Sequence, residues 1–251
     1  MTVLIERDGG VLVATLNRPD KKNALTGAMY RALRGALVTA SAEAEIGAVL
    51  VTGAGGAFCA GNDISDFLTE NRAQSEGART GAGGEFIRTL ARFDKPLLAA
   101  VEGPAVGVGT TMCLHCDLVY AAPSARFAMP FVNLGLVPEA GSSMLVPNRF
   151  GRAVAAELLL LGEAIDAARA REIGLVNAIV APDALKAHAL AKARALAAKP
   201  RAALLATRKL MRGDTEALYA HMEEELKAFA LALKSPEARA AFEAFAGRAK
   251  G

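Results

Sequence analysis

Ala48 to Asp63 reads AVLVTGAGGAFCAGND, an apolar run of strand type from Ala48 to Thr52 that ends in a glycine-rich turn. A short aliphatic run bounded by glycine fits a buried strand, and glycine permits backbone conformations that other residues avoid. The unit recurs at Leu97 to Thr111, LLAAVEGPAVGVGTT, where the run Leu97 to Val101 leads into glycines from Gly103 to Gly109 and another apolar segment. A helical pattern precedes each run. Met29, Leu33, Leu37 and Ala40 behind the cap candidate Thr26 predict an amphipathic helix from Thr26 to about Ala44, and a second covers about Gly84 to Arg92 ahead of Pro96. Strands alternating with helices argue for βαβ units and a mostly parallel α/β core.

Working outward, Val3 to Glu6 and Val11 to Leu16 flank a turn at Asp8-Gly9-Gly10 and read as a β-hairpin. From Gly151 onward helical patterns dominate. Pro182-Asp183 opens a helix that Lys199-Pro200 closes, Leu218, Met222, Leu226, Phe229 and Leu233 form an apolar stripe, and Ser235-Pro236-Glu237 starts a last helix carrying Phe242 and Phe245. This array has more apolar face than a thin layer buries, so it should pack on the core or on another subunit. The polar, glycine-rich stretch from Glu70 to Gly84 reads as a mobile surface loop. The expected division is a core over residues 1–190 and a helical region over 191–251.

The chain has 251 residues, 53% hydrophobic and 22% charged, a balance that supports one sizeable core and excludes disorder and a coiled coil. A net charge of +3, with Lys and Arg dispersed, favours an anionic small molecule and offers no case for nucleic acid. Cys59, Cys113 and Cys116 are an odd number behind an opening that lacks a leader pattern, so a reducing, cytoplasmic setting is expected. Apolar stretches such as Ala153 to Leu161 fall short of the roughly 20 residues of a membrane span.

Three readings of Gly53 to Asp63 stand side by side. It lacks the lysine and hydroxyl of a P-loop and the spacing of a dinucleotide fingerprint, which weakens a phosphate cradle. It could be a plain tight turn. Or Gly61 lets the chain turn so that the N–H of Asn62 points into a cleft. Two such turns at the ends of neighbouring strands could aim two N–H groups at one oxygen, an oxyanion hole in which one donor is typically worth about 2.7 to 4 kcal/mol.

AFCAGNDI at Ala57 to Ile64, the stretch from Glu102 to Thr111 followed by HCDLVYA, and PFVNLGLVPEAGSS at Pro130 to Ser143 resemble the signature segments of the crotonase family. The similarity runs from RPDKKNAL at Arg18 to SPEARAAFEAF ending at Phe245. It implies a spiral core of repeated ββα units with a helical C-terminal region, an acyl-CoA substrate, no metal or redox cofactor, coenzyme A arriving as part of the substrate, and a homotrimer or dimer of trimers. The oxyanion donors map onto the N–H groups of Asn62 and Val108, the latter beside Gly109. Lys21-Lys22-Asn23-Ala24-Leu25 matches the coenzyme A contact region, through Lys22, Ala24 and Leu25. Ala60, Gly61, Asn62, Asp63 and Ile64 would line the adenine and pantetheine side. A solvated turn charge remains an equal reading of the lysine.

The departures narrow the reaction. The family's hydratases split water between two glutamates, and those positions here are Thr111 and Phe131. Threonine is no base near neutral pH and phenylalanine cannot bind water, so hydration by that route is disfavoured and Thr111→Ala is expected to change the rate little. Glu139, in Val137-Pro138-Glu139-Ala140-Gly141, opens the following helix and aligns with the single catalytic glutamate of one group of Δ3,Δ2-enoyl-CoA isomerases. By itself it could be an exposed first-turn acid. In an apolar pocket walled by Phe131, Leu134 and Leu136 it could carry a proton from C2 to C4. The alternatives are another crotonase-type reaction such as hydration, and a non-catalytic acyl-CoA-binding protein.

Cys113-Leu114-His115-Cys116-Asp117 offers no second ligand cluster for zinc, so the cysteines and His115 read as core and Asp117 as an anchor for the following strand. His188 and His221 have no partner in view and read as surface residues.

Overall fold

A computed structural model describes the backbone of residues 1–64 and 81–248, so most of the expected loop between Glu70 and Gly84 lies outside the described residues. Strands β1 (Val3–Asp8) and β2 (Val11–Leu16) form the expected antiparallel hairpin. Helix α1 (Gly27–Ala42) follows, its Thr26 side chain accepting from the Met29 N–H at 3.3 Å as the cap reading requires. Next come β3 (Ala48–Gly53), α2 (Ala82–Arg92), β4 (Leu97–Val101), β5 (Pro104–Val106), α3 (Val108–Leu114), β6 (Leu118–Ala121) and β7 (Arg126–Ala128). Helix α2 starts at Ala82 rather than at about Gly84, because Gly81 is its N-cap residue.

A six-stranded sheet runs β1-β2-β3-β4-β6-β9, parallel after the first pair, where β9 is Ala178–Ile179. A smaller sheet joins β5, β7 and β8 (Ile165–Asp166). After β3, β4 and β6 the chain steps from the large sheet to the small one, reaching in turn a bridge at Cys59, β5 and β7. These lie side by side, since Cys59 bridges Ala105 and β5 pairs parallel with β7. That repeated step is the expected spiral of ββα units. The strands β8 and β9 fall in the stretch after Gly151 where helical patterns dominate. Each is two residues long, too short to show a period.

The large sheet buries both faces, so its strands read as continuous apolar runs. Val49 and Val51 face α1 and α2, whereas Ala48 and Leu50 face a separate cluster containing Leu185, Ala189 and Ala193 of α7 (Pro182–Ala197). Helix α7 runs unbroken through residues 190 and 191, with buried residues on both sides of that point. The remaining helices are α4 (Ser142–Phe150), α5 (Arg152–Ala156), α6 (Ala167–Glu172), α8 (Arg201–Arg212), α9 (Thr215–Ala232) and α10 (Pro236–Arg248). The apolar stripe of α9 turns inward, with Leu218, Met222 and Leu226 buried, and Phe242 of α10 is buried too. Leu218, Met222 and Phe242 join the core cluster of the chain itself, while Leu210, Met211 and Leu231 stay exposed.

Candidate active site

The first turn is fixed by three backbone bonds. The Ala60 N–H donates to Lys22 O at 3.0 Å, Leu25 N–H to Gly61 O at 2.7 Å, and Asp63 N–H to Leu25 O at 2.9 Å. Asn23 holds the other strand of this pairing, its amide donating to Ala54 O at 2.9 Å and Ala57 O at 2.6 Å. Gly61 has φ of 95°, and a Cβ placed there would lie 3.1 Å from Val106 O, so the position is both left-handed and in close approach to the second turn. Tyr30 donates its hydroxyl to Asn62 Oδ1 at 2.5 Å, which fixes the Asn62 side chain against α1.

These bonds occupy the peptide groups around Asn62, yet among the described residues the Asn62 N–H has no acceptor. The Val108 N–H, at the first residue of α3, has none either, as expected of a helix's leading donors. Asn62 and Val108 both line one cavity of about 370 Å³. Two unpaired backbone donors on one cavity are the requirement for holding an oxyanion.

Ala60, Gly61 and Ile64 line this cavity as well, and so do Phe131, Leu134 and Leu136. Lys22, Ala24, Leu25, Asp63 and Gly109 lie outside its wall. Lys22 is exposed in the turn, Leu25 is core at 1% exposure, and Asp63 pairs with Arg18 at 2.6 Å. Gly109 is a packing position, where a Cβ would sit 2.7 Å from Cys59 O.

Glu139 is buried at 6% exposure and lines the cavity, which removes the exposed-acid reading. Helix α4 begins at Ser142, so Glu139 sits in the turn before the helix rather than opening it. The turn is unusual: Ala140 has φ of 58° and Gly141 of 72°. Burial pushes the Glu139 carboxyl up to about 7. A hydrogen bond from Thr111 opposes the rise, and the charge of Glu225 adds to it. The Thr111 hydroxyl donates to Glu139 Oε1 at 2.5 Å. A carboxyl that titrates near neutrality among apolar side chains can both take and return a proton.

Several residues at the cavity were not assigned to it from the sequence. Thr111, expected to be idle, touches Glu139, the one carboxylate in the cavity wall among the described residues. Phe229 of α9 and Ala241, Phe242 and Ala244 of α10 complete that wall. Their helical spacing was visible, but which face met the pocket depended on tertiary docking.

The remaining histidines and acids settle as follows. Cys59, Cys113 and Cys116 are buried, and burial raises all three thiols, Cys59 to about 12. His115 is packed as expected, bonded to Ala140 O at 2.7 Å, with burial lowering its pKa to about 4. Two expectations need correction. His188 packs edge-on against Tyr120 at 4.7 Å, and His221 Nε2 lies 2.8 Å from Ser143 Oγ, so neither lacks a partner. Asp117 anchors the neighbouring strand β4 through the Leu97 N–H at 2.8 Å, and it pairs with Arg208 at 2.8 Å. Among the described residues no helix is long and apolar enough to cross a membrane, and no cluster of His, Cys, Asp and Glu could hold a metal ion.

A family model described as enoyl-CoA hydratase/isomerase matches residues 6–251. The chain is 38% identical over 226 residues to enoyl-CoA delta isomerase 2 of Rattus norvegicus, covering 89% of this chain and 58% of that protein, less than two thirds of its length. It is 32% identical over 244 residues to the 2,3-dehydroadipyl-CoA hydratase of Escherichia coli K12, covering 97% and 94% of the two chains. The solved structure of Pseudomonas aeruginosa OdaA shares the fold at a TM-score of 0.92 and 43% identity, over 97% of this chain and 98% of that one.

Proposed function

The chain belongs to the enoyl-CoA hydratase/isomerase family, and from that membership we propose that it is a Δ3,Δ2-enoyl-CoA isomerase. The observation that carries this reading is Glu139, a buried carboxyl raised to about 7 in an apolar wall, with Thr111 and Phe131 standing where the resemblance puts the hydratase glutamates. Relatives bear both isomerase and hydratase names, so membership alone does not choose the reaction. The side chains favour proton transfer over the addition of water.

In this reading the thioester oxygen lies against the N–H groups of Asn62 and Val108. Glu139 takes a proton from C2 as charge moves onto that oxygen, forming a dienolate. The same carboxyl, now protonated, delivers the proton to C4, and the double bond comes to rest between C2 and C3. Lys22 and Ala24 are assigned to the coenzyme A side, and the substrate is the sole carrier of coenzyme A. The protein is proposed to work in the cytoplasm as a homotrimer or dimer of trimers, and a sedimentation mass equal to the monomer at micromolar concentration would count against that assembly.

The test is a panel of 3-enoyl-CoA and 2-enoyl-CoA thioesters assayed for migration and hydration. Migration is expected to exceed hydration. The opposite order would assign a hydratase, and inertness toward every thioester that binds would assign a binding protein.

A further inference from the structure

Helix α9 reaches the site in a way that the proton-transfer reading does not use. Glu225 is 6% exposed. Its Oε2 accepts from the Gly141 N–H at 2.6 Å, and its Oε1 accepts from the Ser143 N–H at 2.9 Å and from the Ser143 hydroxyl at 2.5 Å. The Gly141 carboxyl-side neighbours begin α4, so this carboxylate caps that helix from another element. On the other side of the same turn, His115 Nε2 bonds Ala140 O at 2.7 Å. The turn between them carries a left-handed alanine, a conformation that persists only where surrounding contacts over-determine it.

We infer that Glu225 is a positioning residue for Glu139, its carboxylate gripping Gly141 and Ser143 and so holding the left-handed turn that presents the Glu139 side chain to the cavity. The inference rests on the proton-shuttle reading of Glu139. Glu225 does not line the cavity. The groups near the Glu139 carboxyl that bear on its titration are the Thr111 hydroxyl, Glu225 and the Cys59 thiol.

The experiment compares Glu225→Gln and Glu225→Asp with the parent, measuring kcat and KM for isomerisation of 3-hexenoyl-CoA across pH. Glutamine turns an amide NH2, itself a donor, toward one of the two N–H donors and removes the charge. We expect kcat to fall about 10- to 100-fold with KM held within about twofold, the signature of a misplaced reacting group. The acid limb of the pH profile should move to lower pH, because the charge that raises Glu139 is gone. Should the glutamine variant fail to fold, aspartate keeps the charge and shortens the reach, and a fall in kcat of about tenfold at unchanged KM is expected. Parental kcat in a folded variant overturns the inference. A merely structural role would move melting temperature and leave kcat and the acid limb alone, which also overturns it. Glu139→Gln serves as the reference: if that variant keeps parental activity, the shuttle reading itself has failed, whereas an inert Glu139→Gln beside a parent-like Glu225→Gln removes only the role of Glu225.

Discussion

The Thr111 hydroxyl donates to Glu139 Oε1 at 2.5 Å, joining α3 to the turn before α4 beneath the cavity wall. Thr111 has no exposed surface, so this bond is shielded from water. A residue that cannot serve as a base instead grips one. The bond favours the ionised carboxylate, against the desolvation that raises it. Thr111→Val, which keeps the shape and removes the donor, should therefore move the acid limb of the rate profile to higher pH and lower the rate near neutrality by about tenfold, the size of one hydrogen bond to a charged group. A pH series of kcat checks this, and an unchanged limb would restore the idle reading of Thr111.

Glu139→Gln should keep acyl-CoA affinity near that of the parent and lower isomerisation of 3-hexenoyl-CoA by about 10²- to 10⁴-fold. The ultraviolet absorbance of the conjugated thioester follows the reaction directly. Parent-like turnover would sink the proposed mechanism and leave the fold untouched.

The same carboxyl makes a prediction about stability. Its folded pKa of about 7 lies above the ordinary carboxyl value of 4.5, so the native state holds the proton more tightly than the unfolded chain does. Stability from this group is fullest below the unfolded value and declines as pH rises toward the folded one, by about 3 kcal/mol in all. Glu139→Gln should accordingly gain on the parent at about pH 8 and gain little at about pH 4. Chemical denaturation at both pH values measures the difference, and an equal gain at each would remove the linkage.

Gly61→Val should cut turnover by about 10²- to 10³-fold, the size of one lost oxyanion donor, while the fold survives. A β-branched residue at φ of 95°, with its Cβ 3.1 Å from Val106 O, must shift the peptide that carries the Asn62 N–H. Far-ultraviolet circular dichroism and the rate are read on one preparation. A folded variant at parental rate would count against the donor role of Asn62.

Much of this architecture was legible locally. Thr26 names its helix start, the turn at Asp8-Gly9-Gly10 names its hairpin, and the run Leu97 to Val101 matches its strand residue for residue. Gly61 drew notice because a glycine-rich turn after an apolar run can aim a backbone donor into a cleft, whereas Val108 was assigned only through the family resemblance. What stayed hidden depends on partners distant in sequence. Nothing near Glu225 in sequence announces that it caps a helix more than eighty residues upstream. His221 and Ser143 found each other the same way, and Leu25, legible as apolar, spent that character on the core rather than on the cavity. Glu139 occupied both categories: its identity was readable from a motif, while its burial required the fold.

Phe229, Ala241, Phe242 and Ala244 line one part of the cavity, whereas the backbone donors proposed for the oxyanion belong to Asn62 and Val108. Synthesis therefore delivers the half of the pocket that carries these donors well before the half built from α9 and α10. A nascent chain that has folded only its spiral would present the donors in an open, water-filled groove, where hydrogen bonds to an oxyanion are weak. Dielectric contrast arrives with α9 and α10, and with it the catalytic strength of every polar group already in place.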